Sequence, residues 1–508
     1  MLRRLRSLPL FVQLMGLGAG AMLVPALHAF MTRDYAVARP FFYSALLFGF
    51  LTALLGLASA ANPAGNRERG LLLTLFAAFL GLPLMLAVPF NEAVPDTGLL
   101  NAWWEMVSSF TTTGATLYEP ARLGMSLHLW RALVGWMGGY FILVMAIAVL
   151  APLRIGGFEM FFAGGFGKAS GVAPSFLRDG VSDPAERIAH FARMLAPAYL
   201  GLTFTLWILL LIAGDGSTQA LVHAMSTLST SGISALARPG EAPSGLWGEA
   251  LILAFLAPAF SRRLWPGGGE LRASEKLWRD PELLLAAALV ALVVGFLFTR
   301  HFLAALEIAA PKGAGVAVAR SLWGSFFTAT SFLTTTGFES IGWNDARSWS
   351  GLGTPGVVLA GLAITGGGIA TTAGGVRLLR VYALLRLGQR ELEKLVHPQS
   401  VAGGGPVARR LRREGAYIAF IFFMLFALSI AGVMLAVTFF GTTFEPATIL
   451  SIAALSNTGP LAVVAGDVPL DWAGLSDPTK LVLAGAMVLG RLETLAIIAL
   501  FNPDFWRR

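Results

Sequence analysis

Four short hydroxyl-rich segments, each with one central glycine, are the residues of this chain best suited to bind an ion. They are Thr111–Thr116, Ser229–Ser234, Thr334–Glu339 and Ser456–Leu461. Each follows a semi-apolar run and precedes a polar stretch, and the four glycines are separated by 118, 105 and 122 residues. In a strongly apolar chain, this repetition predicts four loops around one axis that present backbone carbonyls to a dehydrated cation.

Glycine permits backbone dihedrals that other residues avoid, so the carbonyls beside it can face the axis. The predicted ligands are main-chain oxygens of Thr112, Thr113, Gly114, Thr230, Ser231, Gly232, Thr335, Thr336, Gly337, Asn457, Thr458 and Gly459. Oxygen ligands suit a hard monovalent ion such as K⁺ or Na⁺. Any one of these segments could instead be an ordinary small-residue helix-packing motif. Their fourfold repetition favours an ion site.

A glycine-rich segment interrupts the apolar run 354–387 and is predicted to act as a gate. Its candidate gate residues are Gly366, Gly367, Gly368, Thr371, Thr372, Gly374 and Gly375. Each glycine costs a helix about 1 kcal/mol relative to alanine. We expect a flexible intramembrane loop below the four-loop site, because loosened backbone at that depth needs protein or water as a partner. A passive helix kink is the alternative. A phosphate-binding loop is disfavoured, since the required spacings and a preceding strand are missing.

Arg491 lies about midway along the apolar run 480–502, where a charge is costly and normally faces the protein interior. Facing a cation path, it would add an electrostatic barrier and complete the predicted gate. A buried ion pair with another part of the chain is the alternative, although Glu493 is two residues away and lies on a different helix face. The other embedded charges are expected to be helix-end or inter-helix partners: Arg131, Arg193, Arg300 and Glu105.

The elements that position these residues must lie in a membrane. The chain has 508 residues, of which 56% are hydrophobic and 13% charged, and its mean hydropathy is +0.70, which indicates a polytopic membrane protein. The absence of cysteine excludes disulfides and thiolate metal sites.

The net charge of +8 could suggest nucleic-acid binding, but its placement indicates membrane orientation instead. Of the 37 Lys and Arg residues, 25 fall in six segments: 1–8, 62–69, 152–190, 262–280, 377–413 and 504–508. By the positive-inside rule these segments are cytoplasmic, which places both termini in the cytoplasm. The outer loops are comparatively acidic and could concentrate cations at the mouth.

After an N-terminal hairpin within residues 1–62, one pattern repeats four times: long helix, short helix, Thr/Ser-Gly loop, long helix. The predicted units are 70–153, 186–265, 281–388 and 415–506. Short helices are expected at Leu99–Phe110, Ser217–Leu228, Val318–Leu333 and Phe444–Leu455. The predicted fold is an all-α polytopic membrane protein with four pseudo-symmetric helix–pore-loop–helix units around a central pore and about ten transmembrane helices. The C-terminal ends of the short helices would favour a cation at the loops.

Three further segments are interpreted structurally. Arg3, Arg4 and Arg6 followed by an apolar run imitate a signal peptide, but the second apolar run, 40–60, favours a retained hairpin. Residues 156–184 and 398–408 are rich in Gly, Pro, Ser and Ala and are interpreted as flexible cytoplasmic connections.

With its N-terminal hairpin, four loops, interrupted helix near Gly366 and C-terminal stretch 490–506, the chain resembles the Trk/Ktr/HKT superfamily of potassium transporters, specifically the bacterial TrkH-type membrane subunit. The resemblance implies K⁺ preference from the four glycines, an intramembrane gating loop at the glycine-rich segment, and a gating arginine at Arg491. It also implies a homodimer and a separate cytoplasmic nucleotide-binding regulatory subunit that docks on basic loops such as 377–413. Ala370, Thr371 and Thr372 stand where small Ser- or Cys-containing variants are usual in that family.

The sequence therefore predicts the K⁺-translocating subunit of a bacterial inner-membrane uptake system, surrounded by membrane lipid, with channel-like conduction. Rb⁺ and Na⁺ are further candidate ions, and no enzymatic activity is expected. A coupled transporter that moves K⁺ with H⁺ or Na⁺ is one alternative, and a Na⁺-permeable relative is another. The inner halves of the helices are nearly free of Asp and Glu, which favours the channel-like path over the coupled one.

Overall fold

The computed structural model describes residues 9–59, 67–150, 184–266, 277–307, 314–344, 347, 356–397, 413–466 and 468–492. In this part of the chain every regular element is a helix, and seven helices are long and apolar enough to cross a bilayer. The seven are Leu10–Met31, Tyr35–Ser59, Thr74–Ala93, Met125–Leu150, Ala185–Ile212, Pro281–Thr299 and Ala416–Phe439. The prediction of an all-α polytopic membrane protein is confirmed. The connection 398–408, the connection 156–184 except for its last residue, and most of the stretch 490–506 lie outside the described residues.

The chain begins with the predicted hairpin, formed by α1 (Leu10–Ala21), α2 (Leu23–Met31) and α3 (Tyr35–Ser59). The hairpin is anchored to the rest of the protein by His28 near the end of α2. One ring nitrogen of His28 lies 2.8 Å from the hydroxyl of Ser126, and the other lies 2.9 Å from that of Thr218. Since these partners come from the first two predicted units, the hairpin packs against both.

In each of the four units a long helix precedes a shorter one, and one or more further helices follow the loop. The first unit contains α4 (Arg67–Ala93), α5 (Leu99–Phe110) and α6 (Met125–Met145), which continues as a π-helical turn, Ala146–Leu150. The second contains α7 (Pro184–Ile212), α8 (Ser217–Ser229) and α9 (Gly245–Phe255). The third contains α10 (Pro281–Glu307), α11 (Ala314–Leu333), α12 (Gly356–Thr365) and α13 (Leu378–Val396). The fourth contains α14 (Arg413–Phe439), α15 (Phe444–Leu455), the single turn α16 (Leu461–Val464) and α17 (Asp477–Leu492).

The short helices lie where the sequence predicts them. The bounds of α5 and α15 agree with the prediction, α8 extends one residue further, and α11 begins four residues earlier. Glycines in extended conformation precede α5 and α8, at Gly98 and Gly216, so the chain enters each helix abruptly. At 12 or 13 residues, α5, α8 and α15 are too short to span a bilayer.

Seven rather than ten helices are full-length because the last helix of three units is short in the described residues. Helix α9 ends at Phe255, just before Pro258, whose ring has no N–H to continue the helical hydrogen bonds. Helix α12 ends at Thr365, where the glycines begin, and α17 is described only to Leu492. The shortened helices still pack beside the short helices, as in the contact of Gly490 in α17 with the carbonyl of Leu455 in α15.

Candidate functional site

The four predicted loops meet in a closed ring. A side-chain carbon added at Gly114 would overlap the carbonyl oxygen of Ser231, and one added at Gly232 would overlap that of Thr336. A carbon at Gly337 would lie 3.0 Å from Pro460, one residue past the fourth glycine.

The fourth loop lies against the first and closes the ring. A carbon added at Gly459 would overlap the backbone of Ala115, one residue past the first glycine. Each loop therefore touches the next in chain order, and the fourth touches the first. The eight polar side chains among the predicted ligands are 0% or 1% exposed: Thr112, Thr113, Thr230, Ser231, Thr335, Thr336, Asn457 and Thr458. The ring segments are therefore buried inside the protein.

All four loops share one backbone feature. The second residue before each glycine has a left-handed conformation, with φ of 55° at Thr112, 52° at Thr230, 58° at Thr335 and 55° at Asn457. Such angles are rare for non-glycine residues and are strained for β-branched threonine. Four equivalent occurrences show that the surrounding packing imposes this conformation on every loop.

The same hydrogen bond explains how each short helix passes into its loop. The N–H of the residue before each glycine donates to the carbonyl five residues earlier, at 2.9 to 3.0 Å. The four pairs are Thr113 with Ser108, Ser231 with Ser226, Thr336 with Ser331 and Thr458 with Ala453. This is a Schellman C-cap, in which a left-handed residue closes the helix. The negative end of each helix dipole therefore lies beside its loop and favours a cation there.

Hydroxyl groups form side-chain hydrogen bonds within three of the four loops. In three loops the residue three before the glycine bonds the residue one before it through side chains: Thr111 with Thr113 at 2.8 Å, Ser229 with Ser231 at 3.0 Å, and Thr334 with Thr336 at 3.1 Å. These three bonds join side chains to each other and do not use the main-chain oxygens that are the predicted ligands.

The fourth loop differs from the others at its glycine. Gly114, Gly232 and Gly337 have φ of 71°, 67° and 79°, whereas Gly459 is not among the residues with positive φ. Its N–H instead donates to the carbonyl of Thr113 at 2.7 Å. One predicted ligand oxygen, that of Thr113, therefore has a protein partner in this structure.

The glycine-rich segment leaves the helix and returns to it as a compact loop, residues 366–377, which we name the glycine loop. The N–H groups of Val376 and Arg377 donate to the carbonyls of Ile364 and Thr365 at 2.8 and 2.9 Å. All seven candidate gate residues in the loop are buried. Because the two hydrogen-bonded partners are twelve residues apart in each case, the segment is a loop between two separate helices and not a kink within a continuous helix.

The glycine loop lies directly against the ring. The N–H of Gly374 donates to the side-chain oxygen of Thr335 at 2.7 Å. A carbon added at Gly374 would overlap the carbonyl of Ser456 and would lie 3.3 Å from Asn457. The glycine loop therefore touches the third and fourth ring segments. The sequence predicted that the loop lies below the four-loop site but did not predict these contacts.

The far side of the glycine loop is held by two neighbouring elements. Gly368 donates its N–H to the carbonyl of Ala259 at 2.9 Å, and the Thr371 hydroxyl donates to the same carbonyl at 3.1 Å. The N–H of Ile369 donates to a carboxylate oxygen of Glu282 at 2.9 Å. Sequence reasoning missed Glu282, because an acid in the first turn of a helix is common for dipole reasons alone.

Arg491 is buried on α17 beside both features. It is 1% exposed, and none of its three guanidinium nitrogens has a hydrogen-bond partner among the described residues. It follows Met487 by one helical turn, and the Met487 carbonyl accepts a hydrogen bond from the side chain of Asn457 at 2.9 Å. The charge that acts on it most strongly is that of Arg377 at the end of the glycine loop. The described residues thus give no support to a buried ion pair, while Glu493 lies outside them.

Of the other embedded charges that were singled out, Arg131 and Glu105 are inter-helix partners as expected, whereas Arg193 is not. Arg131 and Glu105 form a buried ion pair of 2.6 Å between α6 and α5, and Glu105 also accepts the N–H of Leu117 at 3.0 Å. Arg193 bonds a carbonyl of its own helix, and the side chain of Arg300 lies outside the description. The pair therefore braces the first ring segment from behind.

Breaking this pair is expected to destabilise the protein. Arg131→Met leaves the Glu105 carboxylate buried without its cation, at a cost of about 3–5 kcal/mol. Thermal unfolding of the purified protein should show a clearly lower Tm for Arg131→Met, and Glu105→Gln combined with Arg131→Met should recover most of the loss. Equal Tm values for the single and double variants would contradict the pairing.

Two acidic residues bind the chain where it leaves the third ring segment. Glu249 of α9, which the sequence did not single out, accepts hydrogen bonds from Trp323, from the Ser340 hydroxyl and from the N–H of Ile341, at 2.7 to 2.8 Å. Glu339, two residues past Gly337, pairs with Arg238 at 3.2 Å. Burial raises the pKa of the Glu339 carboxyl, and the neighbouring Arg238 opposes that shift. Both acids anchor the chain that leaves the third ring segment.

A family profile described as TrkH, a cation transport protein, matches residues 283–508. The Trk system potassium uptake protein TrkH of Escherichia coli (strain K12) is 30% identical over 495 residues, which covers 96% of each chain. TrkI of Halomonas elongata is 30% identical over 442 residues, covering 85% of this chain and 82% of that protein. The crystal structure of the potassium transporter TrkH from Vibrio parahaemolyticus superposes with a TM-score of 0.77 and 26% identity, over all of both chains.

Proposed function

The chain belongs to the TrkH family of cation transport proteins, and we propose that it is the K⁺-translocating subunit of a Trk-type potassium uptake system. The proposal is supported by relatives that are named as potassium uptake proteins and that match this chain over nearly their whole length. The seven apolar helices found in its described residues make the chain a multi-pass membrane protein. In this reading the chain transports an ion and catalyses no chemical reaction.

The observation that carries the proposal is the closed ring of four loops. A cation that enters a bilayer must replace its hydration shell, and rings of backbone carbonyls do so in selective pores. The ring of this chain places four equivalent turns in contact around one centre, each at the negative end of a short helix. We assign K⁺ coordination to the main-chain oxygens of the residues predicted from the sequence, from Thr112–Gly114 in the first loop to Asn457–Gly459 in the fourth.

We assign the gate to the glycine loop and Arg491. The loop contacts the ring through Gly374, so an ion that leaves the ring on that side meets the loop first. The Arg491 guanidinium lies near the same place without a hydrogen-bond acceptor among the described residues, and it repels any cation that approaches. Conduction therefore requires displacement of the loop and passage of the arginine.

Channel-like conduction fits the buried acids better than coupled transport does. A proton-coupled carrier needs an acidic group that can gain and lose a proton during transport. Glu105 and Glu249 are buried but committed to several donors, and Glu282 holds the glycine loop. In the hydrogen bonds described above, none of these three carboxylates contacts a ring residue that would coordinate the ion.

Ion flux through the purified chain in liposomes tests the proposal. We expect passage of K⁺ and Rb⁺ in preference to Na⁺, with the current reversing at the K⁺ equilibrium potential at every pH and Na⁺ gradient. A reversal potential that follows the proton or Na⁺ gradient would favour a coupled transporter. Equal flux of Na⁺ and K⁺ would identify a Na⁺-permeable relative.

We further propose an inner-membrane location with both termini cytoplasmic, a homodimer, and a cytoplasmic nucleotide-binding regulatory subunit. The location is supported by the positive-inside charge pattern. The regulatory contact is assigned to the basic segment 377–413, of which α13 presents Arg386, Arg390 and Lys394. Co-purification of such a subunit with the full chain, and its loss when these three residues are changed to glutamate, would test the contact.

Removing the carboxylate that holds the glycine loop is expected to increase transport. Glu282→Ala removes the acceptor of the Ile369 N–H, a charge-assisted bond worth about 1.5–3 kcal/mol. The loop should then leave the ring more often, and Rb⁺ tracer uptake into liposomes should rise about tenfold. Glu282→Gln keeps a neutral acceptor and should give an intermediate rate. Slower uptake by a well-folded Glu282→Ala protein would contradict this role.

A further inference from the structure

Four equivalent left-handed residues in the ring differ in what their side chains bind. The hydroxyl of Thr230 donates to the adjacent Ser229 carbonyl at 2.7 Å, and that of Thr112 is buried without a hydrogen-bond partner in the described residues. The amide of Asn457 bonds Thr113 and Met487. The oxygen of Thr335 accepts the N–H of Gly374 in the glycine loop. Of these four positions, Thr335 is the one whose side chain forms a hydrogen bond to the glycine loop in the described residues.

The bond between Thr335 and Gly374 has two structural effects. It satisfies a buried backbone N–H that would otherwise lose a hydrogen bond while the loop is docked. It also holds the side chain of a threonine whose backbone is strained, with φ of 58°. Because a carbon at Gly374 would overlap the Ser456 carbonyl, the loop fits this position only with glycine there.

We propose that Thr335 is a positioning residue that couples the glycine loop to the ion ring, so that ion occupancy of the ring and docking of the loop stabilise each other. The inference rests on the proposed function, because the ion in question is K⁺ at the carbonyls of the third loop. The ligand oxygen and the side-chain oxygen belong to one residue. An ion that restrains the backbone of Thr335 also lowers the entropy cost of presenting its side-chain oxygen to Gly374.

Linkage makes this effect reciprocal. If K⁺ in the ring increases the fraction of docked loops by some factor, docked loops increase the affinity of the ring for K⁺ by the same factor. The consequence is self-limiting transport: the open probability falls as the ring becomes saturated with K⁺. A mutation that removes the Thr335 oxygen breaks the link while leaving the four-loop ring in place.

The test compares equivalent threonines in planar bilayers that contain the full chain. Single-channel open probability is measured at low and high K⁺ and at constant ionic strength for Thr335→Val, Thr335→Ser, Thr112→Val and Thr230→Val. We expect Thr335→Val to raise the open probability about threefold to tenfold, the effect of one buried hydrogen bond, and to abolish its dependence on K⁺. Thr335→Ser retains the hydroxyl and should restore both properties.

The two matched variants separate coupling from damage to the ring. Thr112→Val and Thr230→Val make the same isosteric change at the same left-handed position, and either is expected to reduce unitary conductance. Their open probability should keep its wild-type dependence on K⁺. Thr335→Ala provides a second variant without the hydroxyl in case Thr335→Val does not fold.

Two results would overturn the coupling. One is an open probability in Thr335→Val and Thr335→Ala that depends on K⁺ as in the wild type. The other is an equal shift in Thr230→Val, which would indicate general disturbance of the ring. Failure of the proposed function itself is distinct, because the wild-type chain would then show no K⁺ current at all.

Discussion

Replacing Gly232 with alanine is expected to abolish K⁺ transport, lowering flux at least about a hundredfold. The glycine has φ of 67°, which an alanine adopts only under strain. The added carbon would overlap the carbonyl oxygen of Thr336 in the next loop and would lie 3.1 Å from Pro460. That carbonyl is an assigned ligand. At about 1.4 kcal/mol per factor of ten, a loss of roughly 3 kcal/mol in ion stabilisation suffices for the effect.

The control is a glycine with free space around it. A carbon added at Gly295 in α10 has no atom within 4 Å, and alanine is the better helix former by about 1 kcal/mol. Gly295→Ala should therefore transport K⁺ like the wild type. Both variants are compared by Rb⁺ uptake into liposomes and by growth of a K⁺-uptake-deficient strain at low K⁺. Wild-type transport by a folded Gly232→Ala protein would remove the ring from the ion path.

Removing the charge of Arg491 is expected to increase flux by about tenfold to thirtyfold. Two unit charges about 8 Å apart at an effective dielectric constant of about 20 repel by roughly 2 kcal/mol, which corresponds to that range. The guanidinium is buried and has no hydrogen-bond partner in the described residues, so Arg491→Gln removes a barrier without breaking a described contact. Tracer flux at fixed membrane potential measures the change.

Arg491→Lys serves as the matched control, since it keeps the positive charge on a flexible side chain. Its flux should remain close to that of the wild type and well below that of Arg491→Gln. The contrary outcome has two parts: Arg491→Gln loses folded protein, and a second substitution that neutralises an acidic residue beyond residue 492 restores it. That result would make Arg491 half of a structural ion pair and would leave the gate to the glycine loop.

The helices and loops were predictable because their signals are local. Short helices end where hydroxyl residues and glycine follow an apolar run, and the bounds of α5 and α15 agree with that reading. The break after Thr365 is likewise visible from glycine content alone. The early end of α9 was missed, although Pro258 stands three residues beyond it.

The contacts that join the site were not predictable. Glu282 meets Ile369 across 87 residues, and Thr335 meets Gly374 across 39. An acid at the start of a helix and a threonine in a loop have many ordinary explanations, and nothing in their neighbourhood distinguishes these two. The difference of the fourth loop, where the Gly459 N–H takes the Thr113 carbonyl, also depends on residues far apart in the chain.

Composition and apolar run length by themselves determined an all-α polytopic membrane protein, because an apolar run of about twenty residues is a local signal. The fourfold recurrence of one motif predicted four like units. The order in which the loops touch, the contacts that hold the glycine loop and the lack of a hydrogen-bond partner for Arg491 among the described residues were decided by tertiary structure alone. Those features are distances between segments separated by dozens to hundreds of residues, and the packing of the helices sets them. The bounds of the units themselves, from 70–153 to 415–506, remain predictions.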